Sequence, residues 1–179
     1  MHGPSYFSKE KAILLDIVSV TCQNVVIFSP TFVYSMYVNS LRRPSRKMYW
    51  GGQGISLKIE QANMDGSARK TLVRSGIMFV SSLAMDYQNR LLYWCDEGVN
   101  KIERVDLQGN NRVVVLDLSS DFTRPFGLAL FGGAIFWSGW NDTNVFKYNL
   151  TTSQKEVIVH GMGMPMGLHI YDKSKDFFG

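Results

Sequence analysis

One spacing constrains this chain more than any other property. Trp50, Trp94 and Trp137 stand 44 and 43 residues apart, each inside a short aromatic, strand-forming run. These runs are Met48-Tyr49-Trp50-Gly51-Gly52, Leu91-Leu92-Tyr93-Trp94-Cys95-Asp96 and Ile135-Phe136-Trp137-Ser138-Gly139-Trp140. Lys58-Ile59-Glu60 returns 43 residues later as Lys101-Ile102-Glu103, then as Asn144-Val145-Phe146, and Met64-Asp65-Gly66 returns as Leu107-Gln108-Gly109. A period in the low forties that holds several short strands fits the four-stranded blade of a β-propeller, repeated radially around a channel.

Turn residues place the strands inside each period. In the middle repeat they are expected at 82–86, 91–95, 101–107 and 112–116, with Gln108-Gly109-Asn110-Asn111 closing the last hairpin. The third repeat follows the same order at 126–131, 135–137, 144–150 and 156–159. The first shows its later strands at 47–50, 57–63 and 70–73, and its missing first strand is expected within 32–38. A further run, 167–171, starts a new blade and finds nothing to join. Residues 1–44 do not repeat and read as irregular strands plus a basic loop, so the chain divides into 1–44 and a repeat region, 45–179, with repeats at about 47–86, 91–131 and 134–172.

The chain is 45% hydrophobic and 19% charged, which permits a buried core. The net charge of +4 reflects a local cluster, Arg42, Arg43, Arg46 and Lys47, without the basic stripe and stacking aromatics that nucleic acid binding needs. Cys22 and Cys95 have no metal-ligand spacing and read as small hydrophobes, although a disulfide between them stays open. No apolar run reaches the length of a membrane span, and the N-terminus lacks the layout of a signal peptide.

The motifs resemble the low-density-lipoprotein-receptor class B, or YWTD, repeat. That family runs Leu-Tyr-Trp-Thr-Asp, then Lys-Ile-Glu-Arg-Ala-Asn-Leu-Asp-Gly, then a Pro-x-Gly-Leu-Ala strand. Leu92-Tyr93-Trp94-Cys95-Asp96, Lys101-Ile102-Glu103-Arg104-Val105-Asp106-Leu107-Gln108-Gly109 and Arg124-Pro125-Phe126-Gly127-Leu128-Ala129 follow it in order. The family includes lipoprotein receptors, the epidermal growth factor precursor and nidogen. The resemblance implies an all-β fold, a partial propeller of the six-bladed type with about three four-stranded antiparallel blades. It gives Tyr49, Trp50, Tyr93, Trp94, Asp96, Phe136 and Trp137 structural roles, and the three repeat tryptophans are expected in the core. Gly52 and Gly139 stand where Asp96 stands, so those two blades are expected to lack its bond and hold their neighbours less firmly. Three repeats are half of a six-bladed ring. The resemblance therefore also implies a piece of a longer array, with apolar faces that associate or need a partner.

Chemistry-bearing residues point away from catalysis. His2, His160 and His169 belong to no nucleophile motif, and Asp65, Asp86 and Asp106 fall at turns. The function implied by the resemblance is a non-enzymatic, extracellular, receptor-like module that binds a protein ligand or packs on growth-factor-like modules, with no cofactor, no metal and no nucleic acid. One rival is a propeller hydrolase acting on esters or lactones around a channel calcium. It needs polar inner strands, whereas Leu83-Ala84-Met85, Leu128-Ala129-Leu130 and Leu168-His169-Ile170 are nearly all apolar. Another is a truncated product without autonomous function. The ligand footprint is expected on the loops after the second strands, at Trp140, Glu97 and Asn100, with 54–56 as the first blade's counterpart. Asn141 and Asn149 open glycosylation sequons, and Asn141 is favoured.

Overall fold

The computed structural model describes residues 12–14, 36–38, 47–52, 57–121, 123–162 and 168–171. Cys22 and residues 54–56 lie outside them. Every regular element is a strand: β1 (Ala12–Leu14), β2 (Met36–Val38), β3 (Lys47–Gly51), β4 (Ile59–Asn63), β5 (Lys70–Val73), β6 (Val80–Asp86), β7 (Leu91–Asp96), β8 (Lys101–Asp106), β9 (Val113–Asp117), β10 (Pro125–Phe131), β11 (Ala134–Gly139), β12 (Val145–Asn149), β13 (Lys155–Val159) and β14 (His169–Tyr171). Three four-stranded antiparallel sheets follow the chain as β2-β3-β4-β5, β6-β7-β8-β9 and β10-β11-β12-β13. They are three propeller blades, with β2, β6 and β10 innermost.

The strands form where β-branched and aromatic residues cluster. They end where Asp and Asn side chains take up turn amides. Asp106 accepts from Gln108 N (2.9 Å) and Asn110 N (2.8 Å). Asp65 accepts from Ser67 N and Asp86 from Asn89 N. Each blade also carries a bulge at one repeated place between its third and fourth strands, at Ile59/Glu60, Ile102/Glu103 and Val145/Phe146. A bulge adds local twist, and here it recurs with the repeat.

The core lies between the blades. Tyr49, Ile59 and Leu72 of the first blade pack on Leu83, Met85, Leu92, Trp94 and Val105 of the second. Ala84, Tyr93, Cys95 and Ile102 on the other side of the second blade meet Leu128, Ile135, Trp137 and Phe146 of the third. Trp94 and Trp137 thus each face the blade before their own. Trp94 and Trp137 are buried, at 0% and 1% exposure. Trp50 departs from the expected core position and is only half-buried, because no described blade precedes its own. Cys95 is a free thiol, fully buried, and that burial pushes its pKa up.

One expectation needs correction. The strand at the chain's end does find a partner, since β14 pairs antiparallel with β1, Ile170 opposite Ile13. The blades that lack an aspartate at the Asp96 position lack its bond, as expected, and are braced differently. In the third blade Ser138 Oγ accepts from Gly127 N at 3.0 Å, and Trp140 N donates to Arg124 O at 2.7 Å. In the first blade Gly51 brings β3 so close to Val80 that an added Cβ would lie 2.6 Å from its Cγ1. A close backbone approach here replaces a polar tie.

Candidate interaction face

In each blade the turn after the second strand and the connector after the fourth lie at the same end. In the middle blade Asp96 builds that end. Its Oδ2 accepts from Met78 N (2.7 Å), and its Oδ1 accepts from Phe79 N (2.8 Å), Gly98 N (3.0 Å) and Val99 N (3.3 Å). Its side chain is fully buried. A single carboxylate therefore fixes both the lead-in to β6 and the turn after β7. Two backbone bonds complete the brace, Glu97 N to Phe79 O and Leu118 N to Asn100 O.

Glu97 and Asn100 are held on this braced turn. Glu97 Oε2 and Asn100 Oδ1 are buried oxygens without a hydrogen-bond partner among the described residues. Burial raises the Glu97 carboxyl above its usual range, the Arg124 charge opposes this, and Asp96 adds to it. In the third blade Trp140 is half-buried and packs against Phe126, with ring centres 4.9 Å apart and planes tilted by 48°. The Asn141 side chain accepts from Arg124 N at 3.4 Å.

Arg124 therefore lies between two of the expected residues, Trp140 and Glu97. Its backbone is held by the Trp140 turn, and its charge reaches Glu97 on the neighbouring blade. The sequence reading quoted Arg124 only as the start of its strand motif. Its place beside Pro125, immediately before an inner strand, was the available signal. Met78 (59% exposed), Leu57 (37%) and Met162 (39%) add apolar area to this end. Trp140 is less exposed than its loop position suggested. The remaining acidic residues named in the sequence are turn formers: Asp65, through Ser67, and Asp106, through its turn amides, sit below the usual carboxylate range. His160 is exposed on the connector after β13, and the His169 side chain lies outside the described part.

A second constellation escaped sequence reasoning. Arg112 holds Glu103 through two bonds of 2.7 Å, with Glu103 buried, and lies 5.4 Å above the Trp94 ring. Arg69, Glu60 and Trp50 repeat it, with bonds of 3.0 and 2.6 Å and a ring distance of 5.3 Å. In the third blade Phe146 replaces the glutamate and stacks on Trp137 at 5.2 Å. The signal was a glutamate and an arginine nine residues apart, repeated after 43.

No family model matches the chain. The chain is 33% identical over 127 residues to human low-density lipoprotein receptor-related protein 5, covering 70% of this chain and 7% of that protein. It is 30% identical over 126 residues to the vitellogenin receptor of Solenopsis invicta (69% and 7%) and 30% identical over 119 residues to the human sortilin-related receptor (66% and 5%). The chain thus spans less than a tenth of these relatives. Among solved structures it is similar to a chain of the nidogen/laminin complex, with a TM-score of 0.61 at 24% identity over 69% of this chain and 47% of that one. A regucalcin from Agrobacterium tumefaciens, a calcium-binding protein, shares the fold with a TM-score of 0.53 at 19% identity, over 68% and 44%.

Proposed function

The chain belongs to the low-density-lipoprotein-receptor class B, or YWTD, repeat family, and on that footing we propose that it is a non-enzymatic, receptor-type protein-binding module. Its ligand face is the end that carries Trp140, Glu97 and Asn100 around Arg124. The observation that carries this reading is the pair of buried, unpartnered acceptors, Glu97 Oε2 and Asn100 Oδ1, on a turn braced by Asp96. Buried acceptors normally find a donor, and a protein ligand placed over this end supplies one. Half-exposed Trp140 and exposed Met78 beside them are residue types that interfaces favour.

An extracellular setting agrees with receptor relatives such as the vitellogenin receptor. Among the described residues no helix is long and apolar enough to cross a membrane. In that setting Asn141 is the better glycan acceptor, because it is exposed. Asn149 is half-buried. Growth-factor-like modules and further propeller blades are the neighbours this reading supplies. The hydrolase alternative has the shared fold of the regucalcin in its favour. Against it, inner-strand residues Leu83, Met85 and Leu128 are buried and apolar.

The test is a binding screen of the chain against an array of secreted and cell-surface proteins, run beside Trp140→Ala, Arg124→Glu and, from the opposite end, Tyr87→Ala. Binders lost with the first two and kept with Tyr87→Ala support the reading. Binders that are indifferent to Trp140 and Arg124, or calcium-dependent ester hydrolysis by the wild-type chain, remove it.

A further inference from the structure

The two glycosylation sequons lie at opposite ends of the third blade. Asn149 ends β12 beside the start of β11, where it pairs with Ala134. Asn141-Asp142-Thr143 lies in the turn after β11, at the other end. This turn is the counterpart of the one that carries Glu97 and Asn100. At the 43-residue spacing Trp140 takes the place of Glu97, Asn141 that of Gly98 and Thr143 that of Asn100. The third blade thus puts a glycan acceptor inside the stretch that the middle blade uses for its two unpartnered acceptors.

The turn holds that acceptor in a fixed relation to its neighbours. Trp140 N donates to Arg124 O at 2.7 Å, and Arg124 N donates to Asn141 Oδ1 at 3.4 Å. Asp142 Oδ1 accepts from Asn144 N at 3.0 Å, and a Cβ added at Gly139 would lie 2.8 Å from the Asp142 Cβ, so the backbone is tightly folded. Asn141 and Thr143 are exposed. The bond to Arg124 uses the oxygen of the Asn141 carboxamide, and an N-linked glycan uses its nitrogen. A sugar attached there begins one residue from Trp140, whose ring packs on Phe126 and is half in solvent. The first sugar of such a glycan, N-acetylglucosamine, has an apolar ring face, and a half-exposed indole offers it a flat apolar surface.

We propose that Asn141 is a regulatory modification site: its N-linked glycan packs over Trp140 and closes the ligand face, so that only chains without it bind there. The regulation rests on the receptor reading of that face. In the secretory pathway the oligosaccharide passes from its lipid diphosphate carrier to Asn141 Nδ2. The bond from sugar C1 to the carrier oxygen breaks, the C1–N bond forms, and one amide proton leaves with the carrier phosphate. A glycan on Asn149 has no such effect, because it stands at the opposite end of the blade.

The test uses the full chain directed into the secretory pathway of mammalian cells by an added signal sequence. Wild type is compared with Thr143→Val, which removes the first sequon and leaves the Asn141 side chain in place, and with Thr143→Ser, which keeps it. Thr151→Val removes the sequon at the far end. Glycopeptide mass spectrometry is expected to find a glycan on Asn141 in every form except Thr143→Val. Acrylamide quenching of Trp140, read as the difference between each form and the same form carrying Trp140→Phe, should be strong in Thr143→Val and largely lost in the others. A binder that depends on Trp140 and Arg124 should bind Thr143→Val about 30-fold or more tightly than the glycosylated forms, the scale of losing one aromatic anchor. An Asn141 without glycan in the wild type, or equal quenching of Trp140 with and without the glycan, overturns the proposal. Equal affinity of such a binder for both forms also overturns it and leaves the receptor reading standing. The quenching comparison needs no ligand, so the cover over Trp140 is decided even where the binding screen removes the receptor reading.

Discussion

Asp96 places four backbone amides on one buried carboxylate. Removing it strands those donors, and hydrogen bonds to charged groups contribute about 1.5–3 kcal/mol each at most, with cooperative losses smaller than their sum. Asp96→Ala is therefore expected to lower stability by roughly 3 kcal/mol or more, and Asp96→Asn by less, since one acceptor oxygen remains. Urea denaturation measures both, and equal losses would mean that charge matters more than acceptor geometry. Trp94→Ala should cost about 3–5 kcal/mol through lost burial and a cavity, and Trp140→Ala clearly less, because its ring is half in solvent. Similar midpoints for the two tryptophan variants would contradict their different burial. Glu97 gives a signed pH effect. Its carboxyl is raised first by burial, so the stability linked to its proton is whole below the unfolded-state pKa and is lost as pH rises through the folded value. Glu97→Gln should accordingly be more stable than wild type near neutral pH, with the difference vanishing in acid, in denaturation series at several pH values. Glu60 runs the other way, because the Arg69 bond holds its carboxyl low and its contribution disappears as pH falls.

At the scale of strands and joints, Gly51 lies where an added methyl would meet Val80 at 2.6 Å. Overpacking of this kind costs roughly 1–3 kcal/mol. Gly51→Ala should destabilise the chain by that amount, and Val80→Ala in the same chain should restore part of it, as a double-mutant cycle by thermal melting will read. The strands themselves were legible because each is a short apolar run between turn residues, and β6 through β13 fall within two residues of their expected limits. Met36–Val38 was legible only as a place within a longer run, since its pairing depends on β3 and not on its own pattern. The pairing of β1 with β14 had no local signal, because two three-residue strands from opposite ends of a chain meet only once the blades between them are stacked. The reach of Arg112 back to the first blade was hidden for the same reason. Glu103 and Arg112 are visible as residues, but the carbonyls of Ser75 and Gly76 come to Arg112 through the angle between sheets.

Across the whole molecule, each blade is stabilised by its neighbours, as in other repeat arrays. The second blade is covered on both sides, and Leu92, Trp94, Cys95, Ile102 and Val105 have no exposed surface. The outermost strands β9 and β13 expose Val113, Val114 and Val157. Amide hydrogen exchange is expected to be slowest in β7 and β8, faster in the first and third blades, and fastest in β9 and β13. Uniform protection across the three blades would mean that they open as one unit. The contact at Gly51 also has a geometric consequence. Three successive second strands carry Gly51, Cys95 and Ser138 at one position, and the size of that residue sets how closely one sheet can lean on the next. A smaller residue there closes the wedge between two blades and a larger one opens it. Trimming or enlarging that side chain at successive joints is thus expected to change how far one sheet leans on the next, and with it the curvature of the array, without altering the blades.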